Sequence, residues 1–249
     1  MEPEAYDEMY QLETGHWWYV GMRAITRRLI ETVCVNQDDW HILDAGCGTG
    51  ANLRALEQYG SILGFDYSPL ALAYTRQEHG NKIVRASVEA LPYPSDTFDL
   101  VTSFDVICVS EVGSDAQAIH EFVRATRSGG LVLIRVPALP ILRGPHDTVV
   151  HGIRRYTAAE LRQKLSEAGL EVIRITYANS LLLPIAFAAR QIQNLAVRLG
   201  AKPASDVGQS SGLAGGFLEK VLGWEAHWIG SGHSFPAGVS LFGLARKPV

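Results

Sequence analysis

An acid followed by three alternating glycines, Asp44-Ala45-Gly46-Cys47-Gly48-Thr49-Gly50, is the stretch best equipped for chemistry. The apolar pair Ile42-Leu43 precedes it, and residues 51–56 read as the start of a helix. Strand, glycine turn and helix together let a backbone approach a nucleotide-like ligand. A side chain would block that approach, and a tight turn calls for positive φ, which glycine adopts freely. The helix start adds unpaired N–H groups aimed at the ligand. Asp66 closes the next apolar run, Ile62-Leu63-Gly64-Phe65. Its carboxylate has acceptor oxygens for both hydroxyls of a ribose, although capping the next helix is a rival use. Tyr67, which follows, is placed to lie against an adenine face.

A second cluster runs from Pro137 to Tyr156 and holds Arg143, His146, Asp147, His151, Arg154, Arg155 and Tyr156. Three readings stay open. The loop is polar scaffolding. Alternatively it handles an acceptor, with Arg143, Arg154 or Arg155 gripping an anionic group, His146 or His151 as general base and Tyr156 beside them. In the third reading His146, Asp147 and His151 hold a metal, although their spacing matches no zinc pattern; the expectation is no metal. A third group, His16-Trp17-Trp18-Tyr19, is followed by Arg23, Arg27 and Arg28. These rings either staple a helix to the sheet or cap a ligand.

These residues need elements to position them. Ala24 to Val33 has helical periodicity, with Ile25, Leu29 and Val33 on one face. Strands are expected at 62–66, 82–86, 96–105, 131–136, 171–177 and 239–246, besides the one ending at Asp44. Helices are expected from Pro69, over 116–127 with Asp115 as N-cap and Ser128-Gly129-Gly130 as terminator, and over 157–170. Residues 178–238 exceed any ordinary loop. Within them, 181–199 is apolar and helical, 203–216 is Ser/Gly-rich and expected to be mobile, and 217–228 is a helix with Trp224 and Trp228 at i, i+4.

Asp44–Gly50 resembles motif I of the class I S-adenosylmethionine (SAM)-dependent methyltransferases. Its third glycine comes one residue earlier than in the dinucleotide fingerprint. A His-Trp-Trp-aromatic stretch followed by Arg, the helix–Gly-Gly–strand arrangement and the His-Asp…His…Arg-Arg-Tyr loop extend the resemblance. It implies an α/β, Rossmann-like sheet of seven strands in the order 3-2-1-4-5-7-6, the last antiparallel, with helices on both faces. It implies a helical cap at 1–39, a SAM-binding core at 40–177, a helical lid at 178–238 and a final strand at 239–249. Gly46, Gly48 and Gly50, with Asp44, shape the cofactor bed. Asp66 takes the ribose, and Ser87 and Val88 border the adenine where the family has Asp. Phe104 and Asp105 end the fourth strand at the ligand crevice, Phe104 toward cofactor and Asp105 toward acceptor. Arg23 grips the methionine carboxylate and Trp18 closes that end. The family's Glu-His pair after the fourth strand is missing, since Ile107-Cys108-Val109 follow Val106.

The totals fit this reading. The 249 residues are 47% hydrophobic and 19% charged, which excludes a disordered chain. A net charge of −4 argues against nucleic-acid binding by bulk electrostatics. Cys34, Cys47 and Cys108 show neither disulfide nor metal spacing. The acidic, polar start carries no secretory leader, so the expected location is cytoplasmic. The expected activity is methyl transfer from SAM to a small-molecule acceptor, as O-methylation in secondary-metabolite or saccharide and envelope biosynthesis, leaving S-adenosylhomocysteine. A non-catalytic SAM-binding scaffold and an NAD-dependent oxidoreductase are the alternatives. The insertion is expected to pack on the sheet or a twin subunit, or else to meet a lipid-like acceptor or a membrane surface.

Overall fold

A computed structural model describes residues 3–34, 39–200 and 213–249. In chain order the elements are α1 (Pro3–Leu12), α2 (Trp17–Glu31), β1 (Trp40–Ala45), α3 (Ala51–Leu56), β2 (Gly60–Asp66), α4 (Pro69–His79), β3 (Ile83–Arg85) and β4 (Phe98–Phe104). There follow α5 (Asp115–Ala125), β5 (Thr126–Pro137), α6 (Pro145–Val149), α7 (Ala158–Glu167), β6 (Glu171–Ala178), α8 (Leu183–Arg198), α9 (Leu213–Gly230) and β7 (Ser240–Arg246). The strands form one sheet in the order β3-β2-β1-β4-β5-β7-β6, the order that the resemblance implied. From β3 to β5 they pair in parallel. β7 runs antiparallel to β5, because Gly129 bonds to Lys247 and Ala138 to Val239.

The chain divides into two compact units. One comprises Val35–Val136, Ala158–Ile175 and Phe242–Val249 and holds most of the sheet. Every residue of β4 is buried, which is why it reads as a near-continuous apolar run. α5 lays Ala118, Ile119, Phe122 and Ala125 inward, a helical stripe. Ser114, and not Asp115, caps it by accepting from Gln117 N–H at 3.1 Å. Asp115 instead meets Lys164 of α7 at 2.9 Å. The Gly129-Gly130 pair does not terminate the helix either. α5 ends at Ala125 and β5 begins at once, with a register shift between Phe98 and Leu100 opposite it. Both glycines exchange backbone hydrogen bonds with Lys247.

The other unit comprises Met1–Cys34, Pro137–Thr157 and Thr176–Leu241. The loop after β5 therefore groups with the N-terminal helices and the insertion, a division not expected from the sequence. The acidic start forms α1. α2 begins at Trp17, so three of the four rings lie inside it. His16 is its N-cap, its Nδ1 accepting from Trp18 N–H at 3.3 Å. α2 packs closely on α9: a side chain at Gly21 would lie 2.3 Å from Leu222 Cδ1. Of the Ser/Gly-rich stretch, residues 203–212 lie outside the described residues, and 213–216 open α9. Trp224 and Trp228 stack at 5.6 Å, as their i, i+4 spacing allows.

Candidate cofactor and acceptor site

The sheet-bearing unit gathers Asp44, the glycines, Asp66, Phe104 and Asp105 at the C-terminal ends of β1, β2 and β4. In an open parallel sheet that edge is where ligands bind. Gly46, Gly48 and Gly50 have φ of 84°, 56° and 106°, all left-handed. A side chain at Gly46 would also lie 2.3 Å from Val106 Cγ2. Gly46 and Cys47 N–H both donate to the Phe65 carbonyl at 2.9 Å, which ties the turn to β2. Gly50 caps α3 without any side chain, leaving that helix start bare.

Two carboxylates, Asp44 before this turn and Asp66 at the end of β2, behave differently. Asp66 Oδ2 accepts from Gly48 N–H at 2.9 Å, and Oδ1 from Ser68 N–H at 2.8 Å. Burial raises its pKa, and those N–H groups oppose the rise. Each oxygen keeps acceptor capacity for a hydroxyl. Asp44 is 1% exposed. Its Oδ1 accepts from Thr102 Oγ1 at 2.7 Å, while Oδ2 is buried with no hydrogen-bond partner among the described residues. Burial pushes its carboxyl up to about 7, with Asp66 adding to the rise and Thr102 and Arg135 opposing it. An orphaned carboxylate oxygen calls for a proton or a cationic ligand group.

Asp105 adopts a left-handed φ of 61° directly after β4. Arg135 of β5 reaches its Oδ2 through Nε at 2.8 Å and Nη2 at 2.7 Å. The guanidinium is buried beside the Phe104 and Phe242 rings, 5.2 and 6.0 Å from their centres. Arg135 had no assigned role. Its signal was a lone cation in an otherwise apolar strand. Thr102 was missed as well. After β3, Val88 is buried and the Ser87 hydroxyl accepts from Glu89 N–H at 3.2 Å, so the hydroxyl closes a turn. Tyr67 is exposed, with Arg85 5.5 Å above its ring.

In the other unit, Trp18 packs edge-on to Tyr19 at 4.9 Å, and Arg23 donates to the Thr14 carbonyl at 3.3 Å. The polar loop sorts into two groups. Asp147 is buried and accepts from Arg155 through both oxygens, at 2.9 and 3.0 Å, and from Arg190 of α8 at 3.1 Å. Burial would raise its pKa, but the two guanidinia outweigh that and hold it below the usual carboxylate range. Arg155, expected to grip an acceptor, is therefore part of the scaffold; its Nη1 also donates to the Ala138 carbonyl at 3.0 Å. Tyr156, expected near the chemistry, is only 3% exposed, and its strand-like backbone bridges to Ala138. Asp147 faces cations on both oxygens, which removes it from any metal set. The second group stays more open. His146 and His151 are part-exposed, His151 with φ of 55°, and Arg143 and Arg154 line a small cleft with Pro140 and Ile153.

Residues 43–134 match the family model described as a methyltransferase domain. An S-adenosylmethionine-dependent methyltransferase of Mycolicibacterium smegmatis is 29% identical over 165 residues, 65% of this chain and 62% of that protein. A malonyl-[acyl-carrier protein] O-methyltransferase of Enterobacter lignolyticus is 32% identical over 152 residues, 56% of this chain and 60% of that protein. The chain thus spans about three-fifths of the length of these relatives. Among solved structures, a chain from the complex between the Haloferax volcanii Trm112 methyltransferase activator and a methyltransferase superposes with a TM-score of 0.62. That match covers 99% of this chain and 96% of the other at 17% identity, a likeness of fold.

Proposed function

Because the chain carries a methyltransferase domain of the class I, S-adenosylmethionine-dependent family, we propose that it methylates a small-molecule acceptor at oxygen. The carrying observation is the turn between Asp44 and Asp66: three left-handed glycines, with one carboxylate oxygen buried and unpartnered beside them. These residues fit the cofactor. Asp66 would take the ribose hydroxyls, and Asp44 Oδ2 would take the ammonium of the methionine portion. When bound, SAM supplies a methyl group on a sulfonium whose leaving group is a neutral thioether. The protein's share is then alignment and exclusion of water.

For the acceptor, Asp105 is fixed by Arg135 through one oxygen and is 32% exposed. Its other oxygen supports an acceptor that brings a donor, a hydroxyl rather than a carboxylate. That separates this reading from the carboxyl chemistry named for the Enterobacter relative. Arg23 and Trp18 are assigned to the methionine end and Tyr67 and Val88 to the adenine, with Phe104 beneath the cofactor. His146 and His151 are assigned to proton removal, and Arg143 and Arg154 to anionic parts of the acceptor.

The test is a single-turnover assay with methyl-tritiated SAM and a panel of hydroxyl and carboxyl acceptors. The reading expects label on a hydroxyl, lost on Asp105→Ala with S-adenosylhomocysteine affinity retained. Binding without turnover on any acceptor would favour the scaffold reading instead. Label on a carboxylate would refute the assigned role of Asp105.

A further inference from the structure

α8 is mounted with its polar side inward. The only fully buried residue on it is Arg190, 7% exposed and paired with Asp147. On the same side, Asn194 Nδ2 donates to the Arg143 carbonyl at 3.3 Å. The opposite side carries Ile185, Ala188, Ile192 and Leu195, all exposed, with Leu181 just before the helix and Leu199 just after it also exposed; the leucines and isoleucines run from 49% at Leu181 to 80% at Leu199. Their spacing is 4-3-4-3-4, the repeat of a coiled-coil seam. In that frame Ile185, Ile192 and Leu199 fall at the a positions, and Leu181, Ala188 and Leu195 at d. In parallel coiled coils β-branched residues at a with Leu at d favour two strands, and two of the three a positions and two of the three d positions here follow that pattern.

We infer that α8 is the contact of a two-fold dimer, packing against α8 of a second copy of this chain. Area supports this. The stripe presents roughly 600 Å² of apolar surface per copy, so complete burial on two copies would give at most roughly 1,200 Å², the lower edge of a standard interface. Charge supports it too. Residues 172–205 contain no Asp or Glu, and Arg198 is the only cation of α8 on its exposed side. Of the flanking positions, Ala189, Gln191 and Ala196 are uncharged and Arg198 carries the one charge. A helix lying on a lipid surface shows the reverse pattern, a polar face rich in Lys and Arg turned to the headgroups. Here the polar face is pinned inside the protein.

Sedimentation equilibrium of the full chain tests the contact. The wild-type protein should reach twice the chain mass by about 100 µM, a concentration that reports even weak self-association. Ile192→Glu should return it to the monomer, with its circular-dichroism spectrum and S-adenosylhomocysteine affinity unchanged. Phe217→Glu, an exposed apolar site on α9, should leave the dimer intact. A monomeric wild-type protein would overturn the inference, as would a dimer that survives Ile192→Glu or dissolves only on Phe217→Glu. A monomer that floats with phosphatidylglycerol vesicles would assign the stripe to a bilayer and overturn it as well.

Discussion

Asp44 carries the sharpest pH prediction at the scale of single residues. Its carboxyl is pushed from 3.8 up to about 7 by burial. The folded protein therefore holds this proton between roughly pH 4 and 7, where the unfolded chain has released it, so Asp44 lowers stability as pH rises through that window. A ligand ammonium favours the ionised form. S-Adenosylhomocysteine affinity should thus rise about 10-fold from pH 6 to pH 8, with a proton released on binding. Asp44→Asn should flatten this slope. Calorimetry in two buffers of different ionisation enthalpy reads both effects, and an unchanged slope in the variant would exclude Asp44. The histidines are checked separately: activity with His146 and His151 both changed to Ala should lose its acidic limb if either is the base. Asp44 and the glycines were legible because they share one local turn, and Asp66 because it closes the next apolar run. Thr102 and Arg135 were not, because the register of parallel strands, and not the sequence interval, brings them to Asp44 and Asp105.

At the scale of elements, the polar loop shows how residue type misleads. Its His, Asp, Arg and Tyr left scaffold, acceptor and metal readings open. Yet Asp147 and Arg155 are tied into a buried ion cluster that Arg190, 43 residues from Asp147 in sequence, completes, and Tyr156 is buried beside Ala138. Removing one member of a buried pair strands the other charges, so Asp147→Ala should destabilise by about 3–5 kcal/mol in urea unfolding. Arg143→Ala, on an exposed side chain, should stay within about 0.5 kcal/mol. Since Asp147 sits below its ordinary pKa, its contribution is full above the unfolded carboxylate range and fades as pH falls below it. A loss of under 1 kcal/mol for Asp147→Ala would mean that the cluster relaxes or fills with water. Helix starts were easier to read than caps: α4 begins at Pro69 as expected, but its cap is Ser68, and Ser114 took the place expected of Asp115.

At the scale of the whole molecule, the strand order is the one that the resemblance implied; the apolar runs by themselves located the strands but not their order. The orientation of the insertion did not follow. Its helical period is plain in 181–199, but amphipathicity says only that two faces differ. Arg190, drawn to Asp147, decides that the polar face goes in. No helix among the described residues is long and apolar enough to cross a membrane. If α8 pairs with itself, apparent stability is linked to concentration. The thermal midpoint should then climb with protein concentration in the wild type and stay constant in Ile192→Glu.

The account depends most on the glycine turn and Asp66 forming a bed for S-adenosylmethionine. Titrating S-adenosylhomocysteine calorimetrically into the wild type and Asp66→Ala measures this directly. We predict saturable one-to-one binding, weakened at least about 10-fold by loss of the carboxylate that receives the ribose. Equal affinity in the two proteins, or heat from NADH and none from S-adenosylhomocysteine, would contradict it.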